Sequence, residues 1–94
     1  MKAISFPNLK IEATLDEITQ RQLETYQTML STESENLKSP AVFNSLIIRA
    51  AHAAGFLHGI DVSAVPEMKP STVAAISKAI YAFVLEQQAP PPLA

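Results

Sequence analysis

Prolines divide this 94-residue chain into segments, because a proline inside an α-helix lacks the amide donor and clashes with the preceding turn. Pro7 suits the centre of a type I turn, whereas Pro40 and Pro70 suit the first turn of a helix. The prolines at 90–92 end any helix that precedes them. Their spacing therefore predicts one early turn, two helix starts and an extended, flexible tail over 89–94.

Apolar residues alternate with polar or small ones on both sides of Pro7, which is the pattern of two short strands joined by a turn. The alternating residues are Ile4, Phe6, Leu9, Ile11 and Ala13. A two-stranded hairpin alone is marginally stable in water, so it must pack on helices or extend the sheet of a partner. We therefore expect a hairpin over 3–13.

The segment after the hairpin has the pattern of a capped amphipathic helix. Thr14 and Glu17 have the spacing of a capping box, in which each side chain accepts a hydrogen bond from the other residue's amide. The apolar residues that share one face are Leu15, Ile18, Leu23, Tyr26, Met29 and Leu30. Gln22 is the polar exception, either as an edge residue of the helix or as a hydrogen-bonding group for a partner. The pattern predicts a helix over 15–30 and then a polar loop.

A second helix is expected over 40–58, with Ser39 as its N-cap and its end near Gly59. Its apolar face comprises Val42, Phe43, Leu46, Ile47, Ala50, Ala53, Ala54 and Leu57. We expect this helix to form the centre of the core.

A connection containing one short turn over 61–65 then leads to a third helix, expected over 70–88. Its apolar stripe comprises Val73, Ile76, Ile80, Phe83 and Val84. The predicted fold is mainly α, a small three-helix domain with a short N-terminal β-hairpin. Residues 1–88 form that single domain, and 89–94 form the tail.

Composition excludes several classes of protein. A chain with 48% hydrophobic and 17% charged residues is not intrinsically disordered. The absence of cysteine removes disulfides, thiolate catalysis, zinc fingers and iron–sulfur clusters. The net charge is −2, and the closest two basic residues, Lys2 and Lys10, are eight positions apart, so nucleic acid is not an expected partner.

Neither a membrane nor a secretory pathway is indicated by the apolar segments. The most apolar stretch, 41–60, is interrupted by Asn44, Arg49 and His52, so it does not read as a membrane span. The first nine residues contain no apolar run long enough for a signal peptide. We expect a cytoplasmic protein that is not secreted.

No motif for catalysis or for a cofactor is present. The two glycines lie near the end of one predicted helix, and they form no phosphate loop. His52 and His58 point to different sides of a helix, so they do not share a metal. Asp16 and Glu17 are explained by their place in a first helical turn, where negative charge is favourable. We expect no enzyme, no cofactor and no metal.

Surplus apolar side chains are the remaining candidates for function. Ile48, Phe56, Tyr81 and Leu85 lie off the main stripes of helices that already supply a core face. They are the predicted partner-binding residues, for a second copy in a homo-oligomer or for another chain. The alternative, that the helices and the hairpin bury all four, stays open.

Three segments carry a resemblance to a known family. They are Ile-Ser-Phe-Pro-Asn-Leu-Lys-Ile at 4–11, Arg-Ala-Ala-His-Ala-Ala-Gly-Phe-Leu at 49–57, and the segment 61–73 that ends in Met-Lys-Pro-Ser-Thr-Val. In this order they resemble the N-terminal hairpin, the middle helix and the entry to the last helix of the tail-assembly chaperones of long-tailed phages. The chain departs from that family at Leu9, where many such hairpin turns carry glycine.

The resemblance implies a non-enzymatic protein that acts in the host cytoplasm. Such a chaperone binds the tape-measure protein, keeps its long apolar helices soluble and recruits tail-tube subunits during tail morphogenesis. Two other functions fit the same composition. One is a small phage or bacterial regulatory or anti-defence protein that acts by protein–protein binding, and the other is a structural adaptor of the virion.

Overall fold

The computed structural model describes residues 2–6, 11–34 and 39–88. The strands are β1 (Lys2–Phe6), β2 (Ile11–Leu15) and β3 (Leu57–His58), and the helices are α1 (Gln20–Ser34), α2 (Pro40–Ala54) and α3 (Pro70–Gln88). A 3₁₀ helix, Val62–Glu67, connects β3 to α3. The predicted class, mainly α with an N-terminal hairpin, is confirmed. The predicted turn at Pro7 and the predicted tail over 89–94 lie outside the described residues.

The sheet is antiparallel, with the strand order β1-β2-β3. Ile4 pairs with Ala13 in the hairpin, and Leu15 at the end of β2 pairs with Leu57 of β3. This third strand contains only two residues, and the sequence did not predict it. It ties the hairpin to the segment that follows α2, so the hairpin is part of the folded domain.

The first helix begins at Gln20, five residues later than the sequence predicts, and the capping box at Thr14 is wrong. Thr14 lies in β2, where it pairs with His58. The capping box is formed instead by Thr19 and Gln22: the Gln22 amide donates to Thr19 Oγ1 at 3.2 Å, and the Thr19 amide donates to Gln22 Oε1 at 3.0 Å. This pair also explains the polar residue within the apolar arc.

The second helix starts as predicted and ends early. The Ser39 hydroxyl accepts a hydrogen bond from the Ala41 amide at 3.2 Å, which confirms the N-cap. The helix stops at Ala54 because Gly55 adopts the left-handed conformation, with φ of 94°, and its amide donates to the His52 carbonyl. The predicted end near Gly59 is therefore wrong, and Phe56 and Leu57 lie outside the helix.

Gly59 has a different role, in the close approach of two backbones. Its φ is 90°, and a Cβ atom at this position would lie 2.9 Å from the Glu12 carbonyl oxygen. Just beyond it, Asp61 caps the 3₁₀ helix by accepting hydrogen bonds from the Ser63 hydroxyl and amide, which also lower the pKa of Asp61. The predicted short turn over 61–65 is thus confirmed and is slightly longer.

The core lies around α2, which packs against α1 on one side and α3 on the other. The predicted stripe of α3 is confirmed, since Val73, Ile76, Ile80, Phe83 and Val84 are all buried. On α2 the buried face is rotated from the prediction. Val42 and Ala53 are exposed, whereas Leu46, Ile47, Ile48, Ala50 and Ala51 are buried.

Candidate interaction surface

Among the described residues, the most exposed large apolar side chains lie on the outer face of α3. Tyr81 is 51% exposed and Leu85 is 53% exposed, as the sequence predicts for residues outside the core stripe. They are four positions apart and so lie one above the other on the helix. Ala74 and Lys78, both exposed, continue the same face towards the start of α3.

Ile48 is buried, so the prediction that it is a partner-binding surface residue is wrong. It is 0% exposed. A face opposite the main stripe of a surface helix would meet solvent, but α2 is covered on more than one side, by α1, α3, β3 and the 3₁₀ helix. Because these elements cover several sides of α2, its buried face is wider than that of a surface helix.

Phe56 is also buried, at 0% exposed, and this second correction has a local cause. Because the helix ends at Gly55, Phe56 does not follow the helical projection on which it seemed to face outwards. Its ring instead contacts Tyr26 of α1 edge-on, with ring centroids 5.6 Å apart. Phe56 therefore joins α1 to the end of α2.

The Tyr26 hydroxyl is the one described buried side-chain polar atom with no hydrogen-bond partner. Burial, and to a smaller extent the nearby Tyr81 phenol, raise the pKa of Tyr26 from 10.0 to about 12. Tyr26 belongs to α1 and Tyr81 to α3. An unpartnered buried hydroxyl opposes folding.

Glutamine side chains of α3 also reach the α1 region. The Ile18 amide, just before α1, donates to Gln87 Oε1 at 3.2 Å, and Gln27 Nε2 lies 3.5 Å from Gln88 Oε1. Within the described part of the chain, α1 and α3 do not pack closely along their backbones as each does on α2. The end of α3 that carries these two glutamines thus adjoins α1 through long side chains.

A shallow groove beside α2 was missed by the sequence analysis. It has a volume of about 420 Å³ and runs between α2 and the 3₁₀ helix. Val42, 43% exposed, and Arg49 line the α2 side, and Val62 and Pro66 line the other. Periodicity placed Val42 in the core stripe, and only the rotation of α2 exposes it. Arg49 is 3.9 Å from Glu33, with both side chains about half exposed, so the pair contributes little stability.

A smaller cavity of about 150 Å³ adjoins this groove near the start of α3. Asn44 lines it, and the Asn44 side-chain oxygen accepts a hydrogen bond from the buried Ser77 hydroxyl at 3.0 Å. The bond links α2 to α3 and satisfies a polar group within the core. The hydrogen bond between Asn44 and Ser77 is therefore explained by the packing of α2 on α3.

Titratable side chains form no metal site within the described residues. His58 Nε2 lies 2.8 Å from Asp16 Oδ2, which joins the chain after β2 to β3. Both side chains are well exposed, so this contact is a surface pair. His52 lies on α2 and is exposed, whereas His58 lies on β3. The two histidines are therefore on different elements.

A scan against models of protein families and searches of curated proteins and of solved structures found no match to this chain. Among the described helices, none has the length and apolar character needed to cross a membrane. The outer face of α3 and the groove beside Val42 are therefore the candidate sites on geometry alone.

Proposed function

We propose that this chain is a non-enzymatic tail-assembly chaperone of a long-tailed phage. In the host cytoplasm it would bind apolar helical segments of the tape-measure protein, keep them soluble and bring tail-tube subunits to them. The proposal is based on the resemblance of the segments 4–11, 49–57 and 61–73 to that family. The observation that carries it is the pair of half-exposed apolar side chains, Tyr81 and Leu85, on one face of α3.

This pair supports a protein-binding role because the core does not need it. Ile80 and Val84, their neighbours on α3, are buried and already anchor the helix on α2. Burying a leucine or an aromatic side chain completely stabilises a complex by roughly 1.5–3 kcal/mol, and a half-exposed one offers part of that. An apolar face on a rigid helix suits an amphipathic helix of a client, which binds through residues at helical spacing.

The test is co-expression with the cognate tape-measure protein, with the amount of soluble client as the readout. We expect the wild-type chain to increase soluble client and Leu85→Glu to lose this effect, because a charge at an apolar contact is costly to desolvate. Thr28→Glu is the matched control. It adds the same charge at an exposed position on a different helix, α1.

The outcomes separate the function from the choice of surface. A client that is equally soluble with no chaperone present contradicts the function. A folded Leu85→Glu variant that still increases soluble client contradicts only the assignment to α3. If the chain is retained in finished particles, the virion adaptor is supported instead.

A further inference from the structure

The groove beside Val42 and the smaller cavity near the start of α3 adjoin each other. The residues that line both are Ala41, Ser45, Val65 and Pro66. We call the two together the α2 groove. The exposed apolar pair on α3 lines neither of them, so the α2 groove is a second candidate site, separate from the α3 face.

The α2 groove has an apolar end and a charged end. At the apolar end, the cavity of about 150 Å³ is lined by Met68, Val73 and the first turns of α2. A cavity of this volume holds a group the size of benzene in other proteins. At the other end lies Arg49, the only charged side chain among the described residues that line the groove. The groove therefore suits one bulky apolar side chain together with one carboxylate.

Arg49 retains hydrogen-bonding capacity for such a carboxylate. Its contact with Glu33 is 3.9 Å long, and both side chains are about half exposed, so the pair is weak. A guanidinium has five N–H donors, and a carboxylate can accept two of them side by side. An incoming carboxylate therefore competes with the weak contact of Glu33.

We propose that the α2 groove binds an extended segment of a partner protein in which a bulky apolar residue and an acidic residue are two positions apart. Ser45, which lines the cavity, precedes Arg49 by one helical turn, or about 6 Å along α2. In an extended segment, residues two positions apart point to the same side and are about 6.6 Å apart. The apolar side chain then enters the cavity while the carboxylate reaches Arg49.

Polar groups along the groove favour an extended segment over a helix. Asn44 and Ser45 line the cavity, and an asparagine amide and a serine hydroxyl can each donate a hydrogen bond. An extended segment offers carbonyl oxygens to these donors, whereas the interior carbonyls of a helix are bonded to its own amides. The shallow shape also favours a protein segment over a small ligand, because small ligands bind where most of their surface is buried.

Titration with short peptides tests the site directly. The probe is the acetylated and amidated peptide Ala-Phe-Ala-Glu-Ala. The reversed peptide is tested beside it, because both chain directions give the same spacing. Two-dimensional NMR of the isotope-labelled chain follows each titration. We expect millimolar binding of one of the two peptides, with amide shifts concentrated at 41–49 and 62–68, which contain most of the lining residues.

Changes on both sides of the contact test the pairing of Arg49 with the carboxylate. Glutamine in place of glutamate in the peptide should weaken binding about threefold, as for a partly exposed ion pair. Arg49→Gln should bind the two peptides equally, because the coupling between the charges is lost. Glu33→Gln removes the competing carboxylate and should tighten binding. Arg21→Gln, the same change as at Arg49 but at an exposed position of α1, is the control.

Ala41→Phe tests the apolar end of the groove. Ala41 is exposed and lines both parts of the groove, so a phenyl group there takes up space that the peptide needs. This variant should lose binding of every peptide. Ala82→Phe makes the same change at an exposed position of α3 and should bind as the wild type does. Leu85→Glu should also bind normally, because Leu85 does not line the groove.

Three results would overturn the proposal: no shifts at millimolar concentrations of either peptide, an unchanged preference for glutamate in Arg49→Gln, or wild-type binding by Ala41→Phe. Circular dichroism confirms that each variant is folded. The peptides contain no tape-measure sequence, so this proposal and the proposed function fail separately. A chain that binds the peptide but does not increase soluble client contradicts the proposed function and supports the site.

Discussion

The ring of Tyr26 meets the ring of Phe56 edge-on, with centroids 5.6 Å apart and an angle of 64° between the planes. Edge-on contact is a favourable geometry for two aromatic rings. The same contact holds the Tyr26 hydroxyl in the core, where no described residue accepts or donates a hydrogen bond to it. The ring therefore stabilises the fold while its hydroxyl opposes it.

Tyr26→Phe should raise the free energy of unfolding by about 1 kcal/mol, because it keeps the ring and removes an unpartnered buried hydroxyl. Urea unfolding at neutral pH measures the change. Phe56→Leu is the companion variant and should lower stability, because it removes the aromatic contact. A clear loss of stability in Tyr26→Phe would show that the hydroxyl is bonded.

The raised pKa of Tyr26 predicts a loss of stability in alkali. The folded chain keeps the phenol protonated up to a pKa of about 12, whereas the unfolded chain releases the proton near 10.0. Between these values the unfolded state binds fewer protons than the folded state, so stability falls as the pH rises. Tyr26→Phe lacks this contribution. The difference in melting temperature between the variant and the wild type should widen from pH 9 to pH 12.

Ile80 and Leu85 allow a comparison of two aliphatic residues on one helix. Ile80→Ala should lower the free energy of unfolding by about 2–5 kcal/mol, because Ile80 is 0% exposed and its truncation leaves a cavity. Leu85→Ala should change it by no more than about 0.5 kcal/mol in dilute solution, since Leu85 is half exposed. Equal losses at the two positions in chemical denaturation would contradict the assigned faces of α3.

The two glycines should differ in their tolerance of a methyl group. Both have positive φ, which costs a residue with a side chain about 1–2 kcal/mol. A Cβ at Gly55 meets only the end of the Gln22 side chain at 3.5 Å, whereas one at Gly59 meets the Glu12 carbonyl oxygen at 2.9 Å. Gly59→Ala should therefore destabilise more than Gly55→Ala in thermal unfolding. The reverse order would show that β2 can move away from Gly59.

Local signals in the sequence were sufficient for the parts of the fold that depend on neighbouring residues. The cap at Ser39 and the stripe of α3 are both confirmed, because a cap and a helical period are properties of a few consecutive turns. Two threonines, Thr14 and Thr19, each precede a residue that completes a capping box. The choice between them depends on the pairing of Leu15 with Lys2 and Leu57, which no local pattern contains.

The sequence predicted only part of the candidate surface, because local periodicity identifies the faces of one helix but not the elements that cover them. Tyr81 and Leu85 are exposed because α3 packs through one stripe, which periodicity identifies. Ile48 is buried because other elements cover a second side of α2, and Phe56 is buried because a glycine ends that helix early. Val42 became exposed through the rotation of α2. The outcomes for Ile48 and Val42 depend on the relative placement of elements, whereas the outcome for Phe56 depends on the glycine at the end of α2.

The pairing of β2 with β3 has a consequence for the order of folding. Asp16 and His58, at this junction, are 42 positions apart in the sequence. Closing a loop of that size costs entropy before any contact compensates for it, and contacts distant in sequence slow folding. We expect the third strand to join the sheet after α1 and α2 have docked. During synthesis on the ribosome, the edge of β2 therefore stays uncovered until the residues of β3, Leu57 and His58, have been made.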